Sequence, residues 1–213
     1  YVIPNLANAC RILSLVTESD QGLSLTELEQ RLAVPRTTAF RILQTLCQEQ
    51  VLEKHGKRYL VGAQLFKMGL SLLSSQRLQQ QALPMLQQLA LTTGLSCHLA
   101  LPHAKGALLV EVCDSPNPQR LAARPGTIAD FNCSASGKVF LAFHHFDQLH
   151  SLAAAGLFKR RTSHSLVQPN ELTTELQRVL ARGYASDDME YHDDVRCLAV
   201  PIRDNQGVVV AAV

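Results

Sequence analysis

The side chains best suited to chemistry in this chain are a set of polar donors with no acid among them. Thr37, Arg41, Gln44 and Gln48 recur at spacings of four and three, which on a helix places them on one stripe. Arginine and glutamine can each meet a base edge with two hydrogen bonds, and a threonine methyl can meet the methyl of thymine. The stripe therefore suits the major groove of DNA. Thr37, Thr38, Arg41 and Gln44 are expected to reach base edges. Arg36, Lys54, Lys57 and Arg58 are expected to hold phosphates, which position a protein without reading sequence.

The elements that would position these residues are legible around them. Residues 25–62 run LTELEQRLAVPRTTAFRILQTLCQEQVLEKHGKRYLVG. Thr26 followed three residues later by Glu29 predicts a capping box, with Leu28, Leu32 and Val34 continuing an apolar face. Pro35 forces a turn and opens a second helix, whose apolar side is Ala39, Ile42, Leu43 and Leu46. Short runs at 51–54 and 57–61 around the turn His55-Gly56 predict a hairpin, and a hairpin directly after helix-turn-helix is the layout of a winged helix. A first helix is marked by Leu6, Cys10, Leu13 and Val16 and closes in the polar turn ESDQG.

The chain has 213 residues, 46% hydrophobic and 18% charged, with a net charge of +2. Those are the proportions of a globular protein, and the charge alone does not point to nucleic acid. Six cysteines show no C-x-x-C pair, which predicts reduced thiols in a cytoplasmic protein. No apolar run reaches membrane-spanning length, and the residues from Tyr1 onward show no basic region followed by an apolar core, so no membrane partner is expected. The sequence starts at Tyr1 and stops within the apolar run GVVVAAV, so both ends are expected to be trimmed.

Residues 63–91 read as mostly helical, with Leu65, Met68, Leu72 and Leu73 on one side and Leu86, Leu89 and Ala90 later. Pro84 is expected to interrupt that helix, RLQQQ just before it to mark the boundary between domains, and Gly94 to end the helical region. From Ser96 the period changes to strands, SCHLALP and ALLVEVC, then a helix from Ser134 to about Phe146. Asn170 is expected to cap a further helix that ends at Gly183. Strands YASD, RCLAVPI and VVVAAV follow, around the acidic loop MEYHDD and the turn DNQG. Helices on an antiparallel sheet predict an α+β second domain. The expected division is a winged helix at 1–62, a linker helix at 63–81 and the α+β domain at 82–213.

The stretch TELEQRLAVPRTTAFRILQTL resembles the winged helix of IclR-type (isocitrate lyase regulator) transcription factors. CSASGKVFLAF and RGYASDDMEYHDDVRCLAVPIRDNQGVVVAAV resemble that family's effector-binding domain. The resemblance implies a GAF-like second domain with a small-molecule pocket, and dimerisation through the DNA-binding half, with dimers often pairing into tetramers. It implies a pocket from Leu121, Ala129, Cys133, Ser134, Ala135 and Ser136, ahead of Gly137-Lys138, together with Asp187 and Cys197. Backbone N–H groups at a helix start beside small residues would suit a carboxylate at Ala135 and Ser136. Read plainly, Ser134 is an N-cap and Cys197 a buried core thiol. Asp130 stands where many relatives carry Pro. The family's closing strand end and helix are absent before Val213, so the second domain is expected to be truncated at its C-terminus.

The acidic cluster of Asp187, Asp188, Glu190, His192, Asp193 and Asp194 lacks calcium-loop spacing and reads as a solvated loop. A metal held by Cys133, Asp187, Cys197 or His98 is the softer alternative; no metal or cofactor is expected. No G-x-S-x-G or S-x-x-K motif supports a nucleophile, so no catalytic residue is expected. The expected function is one-component transcriptional regulation. The expected partners are double-stranded operator DNA, a small organic-acid effector and a second copy of the chain, as a homodimer or dimer of dimers, and no membrane. The alternative is a winged-helix DNA-binding scaffold with a ligand-free dimerisation domain.

Overall fold

Capping chemistry and chain reversals set the first helices. The computed structural model describes residues 1–75, 77–115 and 123–213. Pro4 opens α1 (Pro4–Thr17) at a position where its missing N–H costs nothing, and Ile12 and Val16 bury its inner face. A two-residue strand β1 (Leu23–Ser24) then leads into α2 (Leu25–Leu32). The capping box of α2 is Ser24 with Glu27, not Thr26 with Glu29: Ser24 Oγ accepts from the Glu27 N–H, and the Glu27 carboxylate accepts from the Ser24 N–H at 2.7 Å. Both pairs fit the spacing. Pairing of Ser24 with Arg58 holds Ser24 extended and decides between them.

Ala33 ends α2 in the left-handed region, and Pro35 caps α3 (Arg36–Gln48). The wing is β2 (Leu52–His55) and β3 (Arg58–Val61), antiparallel, with β1 on the other side of β3. His55 pairs with Arg58, so the turn residues are Gly56 and Lys57, with Gly56 at φ 61°. Ile12, Val16, Leu23, Leu28, Ile42, Leu43, Leu52 and Tyr59 form one core beneath these elements. Helix α4 (Ala63–Ser75) follows.

The chain divides into two compact units, Tyr1–Gln76 and Arg77–Val213. The division falls inside the stretch expected as a linker helix. The second unit opens with α5 (Arg77–Thr93), which runs unbroken through Pro84, against the expectation of an interruption. RLQQQ lies within this helix.

Strands β4 (Cys97–His103), β5 (Gly106–Cys113), β6 (Ile128–Asp130), β9 (Pro201–Arg203) and β10 (Val209–Ala212) form one antiparallel sheet in the order β6-β5-β4-β10-β9. Alternation along the strands sends Leu99 and Ala211 toward Ala82, Leu86 and Ala90 of α5. It sends Ala100, Leu109 and Ala212 toward α6 (Ala135–His144) and α8 (Pro169–Arg182). A 3₁₀ turn at Phe146–Gln148 and the short α7 (Leu149–Ala154) lie between those helices in sequence. Pro169 occupies the first turn of α8 and Gln168 precedes it, so Asn170 is inside the helix rather than its cap. Gly183 closes α8 at φ 82° as expected. A separate hairpin, β7 (Ala185–Asp188) with β8 (Arg196–Ala199), follows α8. Among the described residues no helix is long and apolar enough to cross a membrane.

Candidate functional site

Helix α3 buries Ala39, Ile42 and Leu43 and turns Thr37, Arg41, Gln44 and Gln48 to solvent, as the stripe requires. No acid occurs between Arg36 and Gln48. Thr38 is half-buried.

The cations expected on phosphates divide into two groups. Arg36 Nη1 is bonded to Glu29 Oε2 at 2.7 Å, and Arg58 Nη1 donates to the Gly22 carbonyl at 2.7 Å while Nη2 lies 3.6 Å from Glu27. Arg58 thus ties the wing to the start of α2. Lys54 and Lys57 are exposed on the wing, Lys54 with its ammonium 5.8 Å from the Tyr59 ring centre. Arg41, Lys54 and Lys57 make no ion pair among the described residues.

The second site lies where α6 starts. Ser134 is its N-cap: Oγ accepts from the Gly137 N–H at 3.0 Å and donates to the Asp130 carbonyl at 2.7 Å. The hydroxyl is therefore committed to the cap. Gly137 has to be glycine because an added Cβ would meet the carbonyl of Asp130, and that of Phe131 at 2.7 Å. This close approach seats the helix start against β6. The N–H groups of Ala135 and Ser136, the first of α6, have no acceptor within the helix. Ala135 is buried and Ser136 half-buried, and Ala129 is buried on β6.

Asp187 and Cys197 face one another across the β7–β8 hairpin. Asp187 is buried, and its Oδ1 accepts from the N–H groups of Glu190 at 2.7 Å and Tyr191 at 3.2 Å. Loss of hydration raises its pKa, and those two N–H bonds and Lys138 oppose the rise. Cys197 is exposed as a residue, yet crowding around its thiol, reinforced by the Asp187 charge, pushes it up to about 11. It is not the buried core thiol of the plain reading. Cys133 is that: it is fully buried, donates to the Lys159 carbonyl at 3.1 Å, and is pushed up to about 11, first by burial and then by Asp130. A raised thiol pKa keeps the sulfur in its neutral form, which is the weaker nucleophile. No group of three His, Cys, Asp or Glu side chains among the described residues could hold a metal. Leu121, expected as a pocket wall, lies outside the described residues.

Residues 5–56 match the IclR helix-turn-helix domain, and residues 70–213 match the C-terminal domain of bacterial IclR transcriptional regulators. The chain belongs to the IclR family of bacterial transcriptional regulators. Among similar proteins, the glycerol operon regulatory protein of Streptomyces coelicolor is 31% identical over 99% of this chain and 83% of its own length. The crystal structure of an IclR regulator from Alicyclobacillus acidocaldarius superposes with a TM-score of 0.83, at 26% identity, over 100% of this chain and 86% of that one. An IclR homolog from Microbacterium hydrocarbonoxydans, solved with 4-hydroxybenzoate, has the same fold: TM-score 0.82, 24% identity, 98% and 86% coverage.

Three features of this IclR-family chain escaped the sequence reading. Lys138 was legible only as part of Gly137-Lys138; its side chain is fully buried and its Nζ bonds Glu190 Oε1 at 2.6 Å. Glu190, read as part of a solvated acidic loop, is buried, and its Oε2 has no hydrogen-bond partner among the described residues. Asp130 pairs with Arg161, whose guanidinium lies 4.3 Å from the Tyr191 ring centre. No local spacing links Lys138 to Glu190 or Asp130 to Arg161.

Proposed function

We propose that this regulator grips its operator with α3 in the major groove and Lys54 and Lys57 of the wing on phosphates, as a homodimer. We also propose that a small carboxylate binding at the start of α6 adjusts that grip. The observation that carries the effector reading is the pair of N–H groups at Ala135 and Ser136, beside a helix start that Gly137 holds tight against β6. Anions are favoured there by the helix dipole, and Asp187 and Cys197 offer polar groups to orient the rest of the molecule. The solved homolog with 4-hydroxybenzoate makes aromatic carboxylates sensible probes. Two half-sites require two recognition helices, which supports the dimer. The ligand can shift operator affinity only by its preference between the two arrangements of the protein.

The test is a thermal-shift screen of small aliphatic and aromatic carboxylates on the purified chain, followed by operator titrations with each hit. A hit at a hundred times its Kd should stabilise the chain by about 2.7 kcal/mol. It should also change operator affinity, and Asp187→Asn should weaken both effects while leaving ligand-free DNA binding intact. A flat screen with intact operator binding would instead favour the ligand-free scaffold.

A further inference from the structure

Phe40 is an anomaly on the recognition helix. It is 41% exposed, although α3 has a core face of its own in Ala39, Ile42 and Leu43. It lies three residues after Thr37, four before Gln44 and next to Arg41, so its ring stands on the flank of the polar stripe assigned to the groove. A phenyl ring at that place leaves part of its apolar surface uncovered within its own unit. The major groove offers one apolar group that such a ring can cover, the C5-methyl of thymine, and that methyl distinguishes thymine from cytosine. We propose that Phe40 is a specificity-determining residue that packs on a thymine methyl in the operator, while Arg41 and Gln44 bond base edges beside it.

The proposal rests on the placement of α3 in the major groove and adds to it an apolar element of readout. The duplex is favoured over a protein partner because the neighbours of Phe40 on α3 include Thr37, Arg41 and Gln44, donors among which Arg41 makes no ion pair within the described residues, a setting for a phosphate-lined groove.

The experiment first selects an operator from a random duplex library with the full chain. Each thymine is then replaced in turn by deoxyuridine, which removes the methyl and keeps every hydrogen-bonding group. At one or more positions the unmodified protein should lose about fourfold in affinity, the value of one buried methyl. Phe40→Ala and Phe40→Gln should bind the thymine operator more weakly and be indifferent to the methyl there. Both changes are at an exposed position and should leave the melting temperature close to that of the parent chain. An equal deoxyuridine penalty in the parent and both variants, or no methyl-sensitive thymine at all, overturns the proposal. So does a change in oligomeric state with unchanged methyl dependence, which would make Phe40 a contact between copies. Arg41→Ala separates the two levels: if it abolishes binding while Phe40 fails these tests, the groove placement stands and the methyl contact falls.

Discussion

Lys138 donates from Nζ to Glu190 Oε1 at 2.6 Å, with its side chain fully buried. The pair joins the second turn of α6 to the loop after β7, the two segments that flank the proposed effector site. The main chain around Glu190 is fixed as well: its carbonyl accepts from Ser165 Oγ at 2.7 Å, and its N–H donates to Asp187. The ion pair and these bonds lock the β7–β8 loop to the helix start, which holds Asp187 in place.

Lys138→Met should destabilise the second unit by about 3–5 kcal/mol, because the remaining carboxylate would be buried without its partner. Adding Glu190→Gln should recover part of the loss. Urea denaturation of the single and double variants checks this, and a double-variant loss equal to the sum of the singles would contradict it.

The titration of Asp187 gives a pH signature. Its folded-state pKa is raised by burial, so between the ordinary aspartate value and the raised one the folded chain holds more protons than the unfolded chain. Stability from this group is present below that window and declines as pH rises through it. Glu190, also raised chiefly by burial, adds in the same direction. Urea midpoints followed upward from acidic pH should fall more steeply in the parent chain than in Asp187→Asn.

The cap and the anion site at α6 can be separated. Ser134→Ala should cost about 1 kcal/mol of stability through the lost cap, with carboxylate affinity nearly unchanged, because the hydroxyl is already committed. Gly137→Ala should cost about 1–3 kcal/mol by pushing the helix start off the Asp130 and Phe131 carbonyls, and should abolish carboxylate binding. Thermal melts with and without ligand measure both.

On the DNA side, Lys57→Ala should reduce the salt slope of operator binding by about one unit, as loss of a phosphate contact does. Arg58→Ala should leave that slope unchanged and lower the stability of the winged helix, because Arg58 is tied to Gly22 and Glu27. Operator titrations across a salt series, paired with melts, distinguish the two.

Local pattern determined much of this molecule. The spacing of Ala39, Ile42 and Leu43 against Thr37, Arg41 and Gln44 fixes both the existence of α3 and its outward face, because helical periodicity is a property of neighbours in sequence. Gly183 after a helical run and the change of period at Ser96 are legible for the same reason. The sequence alone could not choose between Ser24-x-x-Glu27 and Thr26-x-x-Glu29, since both satisfy one spacing rule. Pairing of Ser24 with Arg58, distant in the chain, made that choice. It also could not tell which arginines stay free: Arg36 and Arg58 look like Lys57 until Glu29, Glu27 and the Gly22 carbonyl are seen beside them. Lys138 with Glu190, and Arg161 with Asp130, exist only because the packing of α6 and the strand register bring far parts of the chain within bonding reach. Hydrophobic periodicity sets which side of an element is buried; only tertiary contact decides which charge is buried with which partner.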